Sequence, residues 1–174
     1  KLGFSPILLP FKPNGKAMHI KGFLVRFSKT AKTQAEFLNR VAKLNVPLVG
    51  VDPAIVLSYR DEYKEALGDS RGDFHVLTAH EWLTNQLESN TLQSAVKNIA
   101  KSDRTFEWHL FPHCTESTFM PNSPKEWQYI FAQFGQTLNV EKVGCCGMAG
   151  VFGHEVQNQT MSKDIYDVSW GKKL

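Results

Sequence analysis

The sequence predicts an α/β fold in which a mainly parallel sheet, or two such sheets, is flanked by helices in two repeated βα lobes. Short apolar runs alternate along the chain with longer amphipathic segments. The amphipathic segments begin at helix-start signals, in which serine, threonine or aspartate is followed by proline or glutamate. Strands that alternate with helices of this length form βαβ units, and βαβ units build parallel sheets.

Size and composition restrict the class of protein. A chain of 174 residues suits one domain, or two small lobes that share a core. The net charge is only +3 and the lysines are scattered, so a nucleic-acid partner is not indicated. No apolar run is long enough to cross a bilayer, and we expect no transmembrane segment. The chain starts with neither an initiator Met nor a signal peptide, which predicts that it begins inside a longer polypeptide.

Four helices are predicted from start signals and apolar spacing. The clearest has Ser123 as N-cap, Pro124 at the first helical position and Glu126 closing a capping box, and it stops at Gly135. The others run from Asp52-Pro53 to Gly68, from Thr78 with Glu81 three residues on, and over residues 29–44. The short apolar runs predict strands at residues 6–9, 47–51, 74–77, 106–111 and 138–143.

The three cysteines follow two of these predicted strands. Cys114 comes after the strand that ends at Phe111, and Cys145-Cys146 come after the strand that ends at Val143. Ligands gather beyond the carboxyl ends of strands in α/β sheets, so we expect all three thiols at the binding edge. Adjacent cysteines bridge only with strain and the third would be left over, which favours free thiols in a reducing, cytoplasmic compartment.

The tripeptide Cys145-Cys146-Gly147 suits a metal-binding loop. Glycine permits a turn tight enough for both sulfurs to reach one ion or cluster, and thiolates are the preferred ligands of iron–sulfur clusters and other soft metals. Free cysteines packed as small core residues are the alternative interpretation. His113 and His154 are candidate additional metal ligands, or donors of hydrogen bonds near the sulfurs.

Other candidate groups are better explained by structure than by chemistry. Glu116 and Glu155 are expected to be solvated surface carboxylates. His19, His75, His80 and His109 have weaker claims to a site, and His75 and His109, which would lie along strands, are expected to be structural. The sequence has no Gly-rich phosphate loop, no hydrolase triad order and no dinucleotide-binding fingerprint. We therefore expect any nucleotide cofactor, and the substrate, to bind outside this chain.

A short internal repeat relates the two ends of the chain. Gly3 matches Gly135 and Gly15 matches Gly147, both at an offset of 132 residues, and the residues on either side also agree in part. In this register Pro13-Asn14 occupy the places of Cys145-Cys146. We expect a single domain over residues 1–174 made of two lobes, a first half at about residues 1–100 and a second half at about residues 101–174.

The segment from Val143 to Glu155 resembles the CCG signature of the cysteine-rich domain of heterodisulfide reductase and glycolate oxidase iron–sulfur subunits. That domain also occurs at the C-terminus of large FAD-linked oxidases that act on D-2-hydroxy acids, and the likeness to this group is the greatest. His113-Cys114 is similar to the family's His-Cys element, and Asp52-Pro53 with Arg60-Asp61-Glu62 is similar to another of its loops. The resemblance covers nearly the whole chain.

The resemblance implies a ligand set for one four-iron cluster. Cys114, Cys145 and Cys146 would be its ligands here, with Gly147 forming the turn. In the first half Pro13, Asn14 and Ile55 stand where thiolates would be needed, so that half should bind no cluster. Adding the repeat offset of 132 to position 55 puts the missing fourth ligand at position 187, beyond Leu174. The isolated chain should therefore hold its cluster weakly or not at all.

The expected function is electron transfer within an FAD-linked D-2-hydroxy acid oxidoreductase. Flavin and ferredoxin-like domains of the same parent chain would be the partners, and electrons would leave to an external acceptor. The setting would be cytoplasmic, with the inner membrane surface as an option, and the isolated chain should oxidise nothing. Two alternatives stay open: a vestigial structural or docking domain without a cluster, and a structural zinc site on the three cysteines with His113 or His154.

Overall fold

The computed structural model of the protein describes residues 2–100 and 106–174. Lys1 and the start of the second half at residue 101 lie outside the described residues. Within these ranges the helices and strands follow in the order α1 (Lys16–Ile20), α2 (Leu24–Ala42), β1 (Leu48–Gly50), α3 (Pro53–Arg60), α4 (Glu62–Leu67), β2 (Val76–Thr78), α5 (Ala79–Glu88), α6 (Gln93–Ala100), β3 (Glu107–Leu110), α7 (Cys114–Phe119), α8 (Ser123–Gln133), β4 (Thr137–Val140) and α9 (Gln159–Val168).

The strands form two separate parallel pairs. In the first pair, β1 lies beside β2, with Leu48 opposite Val76. In the second, β3 lies beside β4, with Glu107 opposite Thr137. Because each pair is parallel and is joined through helices, the predicted α/β class with parallel sheets flanked by helices is confirmed.

Three of the predicted helix starts are confirmed, with one correction of detail. Thr78 and Glu81 form the reciprocal capping box at the start of α5, and the Asp52 carboxylate accepts a hydrogen bond from the Ile55 amide at the start of α3. The capping box predicted for Ser123 and Glu126 is wrong. Asn122 is the N-cap of α8 and makes no side-chain cap. Glu126 contacts His80 instead of closing a capping box.

Two predicted helix boundaries are also corrected. The helix expected from Asp52-Pro53 to Gly68 is broken at Asp61 into α3 and α4. The helix expected over residues 29–44 begins at Leu24, where Phe23 provides no side-chain cap that could have marked the start. Packing of Phe27 and Ala31 in the core stabilises these earlier turns.

The strand predicted at residues 6–9 is wrong for this structure. These residues form neither a helix nor a strand, and Ile7 and Leu8 are 84% and 97% exposed. No strand in the described ranges pairs with them. The other predicted strands are present but shorter. β2 ends one residue later than predicted, and β4 begins one residue earlier and ends at Val140 rather than Val143. Helices α1, α6, α7 and α9 were not predicted.

Two apolar clusters form the core. The larger belongs to the first half and surrounds Phe27, Tyr63 and Phe74. The smaller joins the halves, because Leu87 and Leu92 of the first half are in one cluster with Ile130 of α8. The two halves therefore share apolar packing, which fixes β3 and β4 relative to α5.

Candidate thiolate site

A cavity of about 700 Å³ lies beyond the carboxyl ends of β3 and β4. Cys114 and Cys145 both line it, as predicted from the strand ends they follow. The other lining residues are Pro112, Ser117, Thr118 and residues 141–144. Two of the three thiols thus share one open chamber at the edge where parallel sheets bind ligands.

Cys114 is exposed and is the first residue of α7. The preceding residue, His113, caps this helix, because its Nδ1 accepts a hydrogen bond from the Thr115 amide at 3.2 Å. That contact occupies one ring nitrogen of His113 and leaves Nε2 for any further ligand. His113 therefore stabilises the start of α7, and through Nε2 it is still a candidate metal ligand.

Cys145 is half-buried and accepts a hydrogen bond at Sγ from the Gly147 amide, at 3.3 Å. The turn depends on glycine, because Gly147 has a φ of +87° and a Cβ there would lie 2.1 Å from the Ser162 carbonyl oxygen. The Ser162 hydroxyl donates to the Gly147 carbonyl at 2.9 Å. A tight glycine turn behind the cysteine pair was predicted, and this geometry explains why the turn needs glycine.

The last part of the chain braces the cysteine loop. The Gly144 amide donates to the Ser169 hydroxyl at 2.6 Å, and the Trp170 indole donates to the Gly144 carbonyl at 3.1 Å. With Ser162 of α9, these contacts hold both ends of the segment from Gly144 to Gly147. Sequence reasoning missed these bracing residues, since no motif marks a serine or tryptophan that acts on a loop 15 or more residues away.

Cys146 and His154 do not line the cavity. Cys146 is half-buried, and His154 is exposed at the end of a short 3₁₀ turn. Across residues 2–100 and 106–174, no three side chains of His, Cys, Asp or Glu come together as a metal-binding group. A four-iron cluster needs four ligands. These residues therefore fit such a cluster only in part, with Cys114 and Cys145 on its wall.

A buried polar network lies under the helix that carries Cys114. Glu116 of α7 is buried, which corrects the expectation of a solvated carboxylate. Its Oε1 lies 3.2 Å from Nδ1 of the fully buried His80 and accepts a hydrogen bond from the Trp127 indole at 3.2 Å. The other His80 nitrogen lies 3.3 Å from Oε2 of Glu126. The network ties α7 to α5 and α8, so it positions the start of α7 at the cavity.

The second acidic residue expected at the surface has a partner on the other half. Glu155 is half-buried and forms an ion pair with Lys21, which follows α1. A nearby contact supports the same interface, because a Cβ on Gly150 would lie 2.8 Å from Ile20. The loop that follows the cysteine pair is thus packed against the first half.

Comparison with known proteins gives a consistent set of relatives. No protein-family model matches the chain, and no solved structure matches it significantly. A protein of Haemophilus influenzae named D-2-hydroxyglutarate dehydrogenase is 82% identical over all 174 residues, which are 17% of its length. Proteins of the same name from Escherichia coli and Pseudomonas putida are 57% and 40% identical over the whole chain, which is 16% of each. The chain is therefore homologous along its entire length to one segment, about a sixth, of bacterial proteins named D-2-hydroxyglutarate dehydrogenase.

Proposed function

We propose that this chain is the iron–sulfur electron-transfer part of an FAD-linked dehydrogenase that oxidises a D-2-hydroxy acid. The observation that carries the proposal is the shared cavity of Cys114 and Cys145 at the carboxyl edge of β3 and β4. The substrate class comes from the name of the relatives, and D-2-hydroxyglutarate is the first substrate to test. Oxidation of the hydroxy acid itself would take place on the flavin, in another part of the parent polypeptide.

The residues of this chain would bind and tune the cluster. Cys114, Cys145 and Cys146 would be thiolate ligands, and at least one more ligand would come from polypeptide outside these 174 residues. When bound, the cluster supplies one-electron steps between the flavin and an external acceptor. The Gly147 amide already donates to the Cys145 sulfur, and hydrogen bonds of this kind are among the factors that set cluster potentials.

In the parent polypeptide, flavin and ferredoxin-like domains would donate electrons to this segment. The protein would lie in the cytoplasm or at the inner surface of the inner membrane. The helices in the described part of the chain include none with the length and apolar character needed to span a bilayer.

A second candidate function is a structural or docking domain that holds no cluster. The observation that favours it is the lack of a three-ligand group in residues 2–100 and 106–174. Under this hypothesis the thiols are remnants, and the bracing of the cysteine loop by α9 serves only to fold the domain. A structural zinc would be a third outcome of the same test.

Metal analysis of the full-length polypeptide distinguishes these functions. The protein is purified without oxygen, its iron, sulfide and zinc are measured, and EPR spectra are recorded before and after reduction. We expect iron and sulfide in amounts that fall in Cys114→Ser and Cys145→Ser but not in Val25→Ala, an exposed variant in α2 that keeps all thiols. Full activity with iron near zero would contradict the proposal, and stoichiometric zinc that survives dialysis would favour the zinc site.

A further inference from the structure

Residues 5–9, which are apolar except for Ser5, form neither a helix nor a strand and have no partner strand in the described ranges. Ile7 and Leu8 are almost fully exposed, and Phe11 just beyond them is also exposed. Within the described part of the chain, the amides of Ser5, Ile7 and Leu9 donate no hydrogen bond. Proteins usually pair or protect an apolar edge of this kind.

The internal repeat assigns this segment an equivalent in the second half. Adding the offset of 132 to residues 5–8 gives Thr137–Val140, which is β4. The glycines that flank the two segments have the same unusual backbone. Gly3 and Gly135 have φ of +87° and +69°, and Gly15 and Gly147 have φ of +81° and +87°. Residues 5–8 therefore stand where a β-strand stands in the other half.

The equivalent strand also indicates what should pair with residues 5–8. β4 lies parallel to β3, with Glu107 opposite Thr137 and Leu110 opposite Val140. Subtracting 132 from the positions of β3 gives −25 to −22, counted back from Lys1 through position 0. The relatives are long enough to contain such a segment, because this chain spans only 17% of the Haemophilus influenzae protein.

The prolines of the segment agree with a partner on one side. In the second half the Glu141 amide donates to the Leu110 carbonyl at 2.9 Å, so odd-numbered residues of that strand point their N–H groups toward β3. Transferred by the offset, the amides of Ser5, Ile7 and Leu9 point toward the missing strand. Pro6 and Pro10, which have no N–H, fall on the opposite edge, where proline is tolerated.

We propose that residues −25 to −22 of the same polypeptide form a strand that pairs in parallel with residues 5–8 and accepts hydrogen bonds from the amides of Ile7 and Leu9. The first half then has the same strand pair that β3 and β4 form in the second half. The inference rests on the chain being a segment of a longer polypeptide, as in its relatives. It does not depend on any bound metal.

Residue-resolved hydrogen exchange on the full-length polypeptide tests the pairing. We expect the amides of Ile7 and Leu9 to exchange at least about tenfold more slowly than that of Leu8, since only the first two donate to the new strand. Fast exchange at all three amides would overturn the proposal. Slow exchange at all three would also overturn it, because a strand on one edge protects only alternate amides and some other contact would have to protect Leu8.

Two proline substitutions provide the matched comparison. Ile7→Pro removes an N–H that points toward the missing strand, whereas Leu8→Pro removes one that points away. Protection of the Leu9 amide should be lost in Ile7→Pro and kept in Leu8→Pro. Equal protection in the two variants would overturn the proposal. Protection that rises with protein concentration would also overturn the proposal, because it would show that residues 5–8 pair with a second copy of the protein.

Discussion

At the scale of single residues, Gly3 and Gly147 have the same backbone angle in different surroundings. Both have φ of +87°, but a Cβ on Gly3 would meet no atom within 4 Å, whereas on Gly147 it would meet the Ser162 backbone at 2.1 Å. Replacing each glycine by alanine therefore distinguishes the free-energy cost of the left-handed conformation, which both positions share, from the cost of the close backbone contact, which only Gly147 has. The close approach is what ties the cysteine loop to α9.

Gly147→Ala should be clearly more destabilising than Gly3→Ala. The left-handed conformation alone costs about 1–2 kcal/mol for alanine, and only at Gly147 must a backbone segment also move. Urea unfolding of both variants measures the difference. Gly147→Ala should in addition weaken retention of the proposed cluster, because the amide that donates to the Cys145 sulfur would be displaced. Equal losses of stability would show that Ser162 does not constrain the loop.

At the scale of elements, side-chain chemistry decides which helix starts can be predicted from sequence. The capping box of α5 and the Asp52 cap of α3 each involve residues at most three positions apart, so both helix starts could be predicted from the sequence. The start of α2 has no such cap and is set by packing against the core, which local sequence does not reveal. Likewise the strand ends predicted the cavity of Cys114 and Cys145, but not the tertiary contacts of Ser162 or His80.

The capping box of α5 predicts a specific acid sensitivity. Partial burial raises the pKa of Glu81, but hydrogen bonds from Arg60 and from the Thr78 amide outweigh it and lower that pKa from 4.5 to about 2. A carboxyl with a lower pKa in the folded state stabilises the protein above about pH 4.5, and this contribution is lost as the pH falls toward 2.

Glu81→Gln should flatten the stability curve over that pH range. Urea unfolding at a series of pH values should show the wild type losing more free energy of unfolding on acidification than the variant does. Glu88→Gln is the control, because Glu88 is exposed on the same helix. If the free energy of unfolding falls equally with pH in Glu81→Gln and Glu88→Gln, the Arg60–Glu81 contact does not contribute to the acid sensitivity.

At the scale of the whole molecule, the shared apolar cluster predicts that the halves unfold together. Ile130 of α8 packs with Leu87 and Leu92 from the first half. Ile130→Ala should cost about 2–5 kcal/mol, whereas Val25→Ala, at an exposed position of α2, should change stability by less than about 0.5 kcal/mol.

Hydrogen exchange shows whether that loss is shared between the halves. The slowest amides of α2 and of α8 should lose equal protection in Ile130→Ala, because both would exchange through the same global unfolding. A loss confined to α8 would mean that the second half unfolds by itself.

The electron path through Cys145 is the central functional claim, and stopped-flow kinetics of its two half-reactions test it most directly. In the full-length polypeptide, reduction of the proposed flavin by D-2-hydroxyglutarate and its reoxidation by the acceptor are followed separately for wild type, Cys145→Ser and Val25→Ala, a variant at an exposed position of α2. We predict that Cys145→Ser keeps flavin reduction nearly intact and abolishes transfer to the acceptor, while Val25→Ala keeps both. Unchanged rates of both half-reactions in Cys145→Ser would contradict the account.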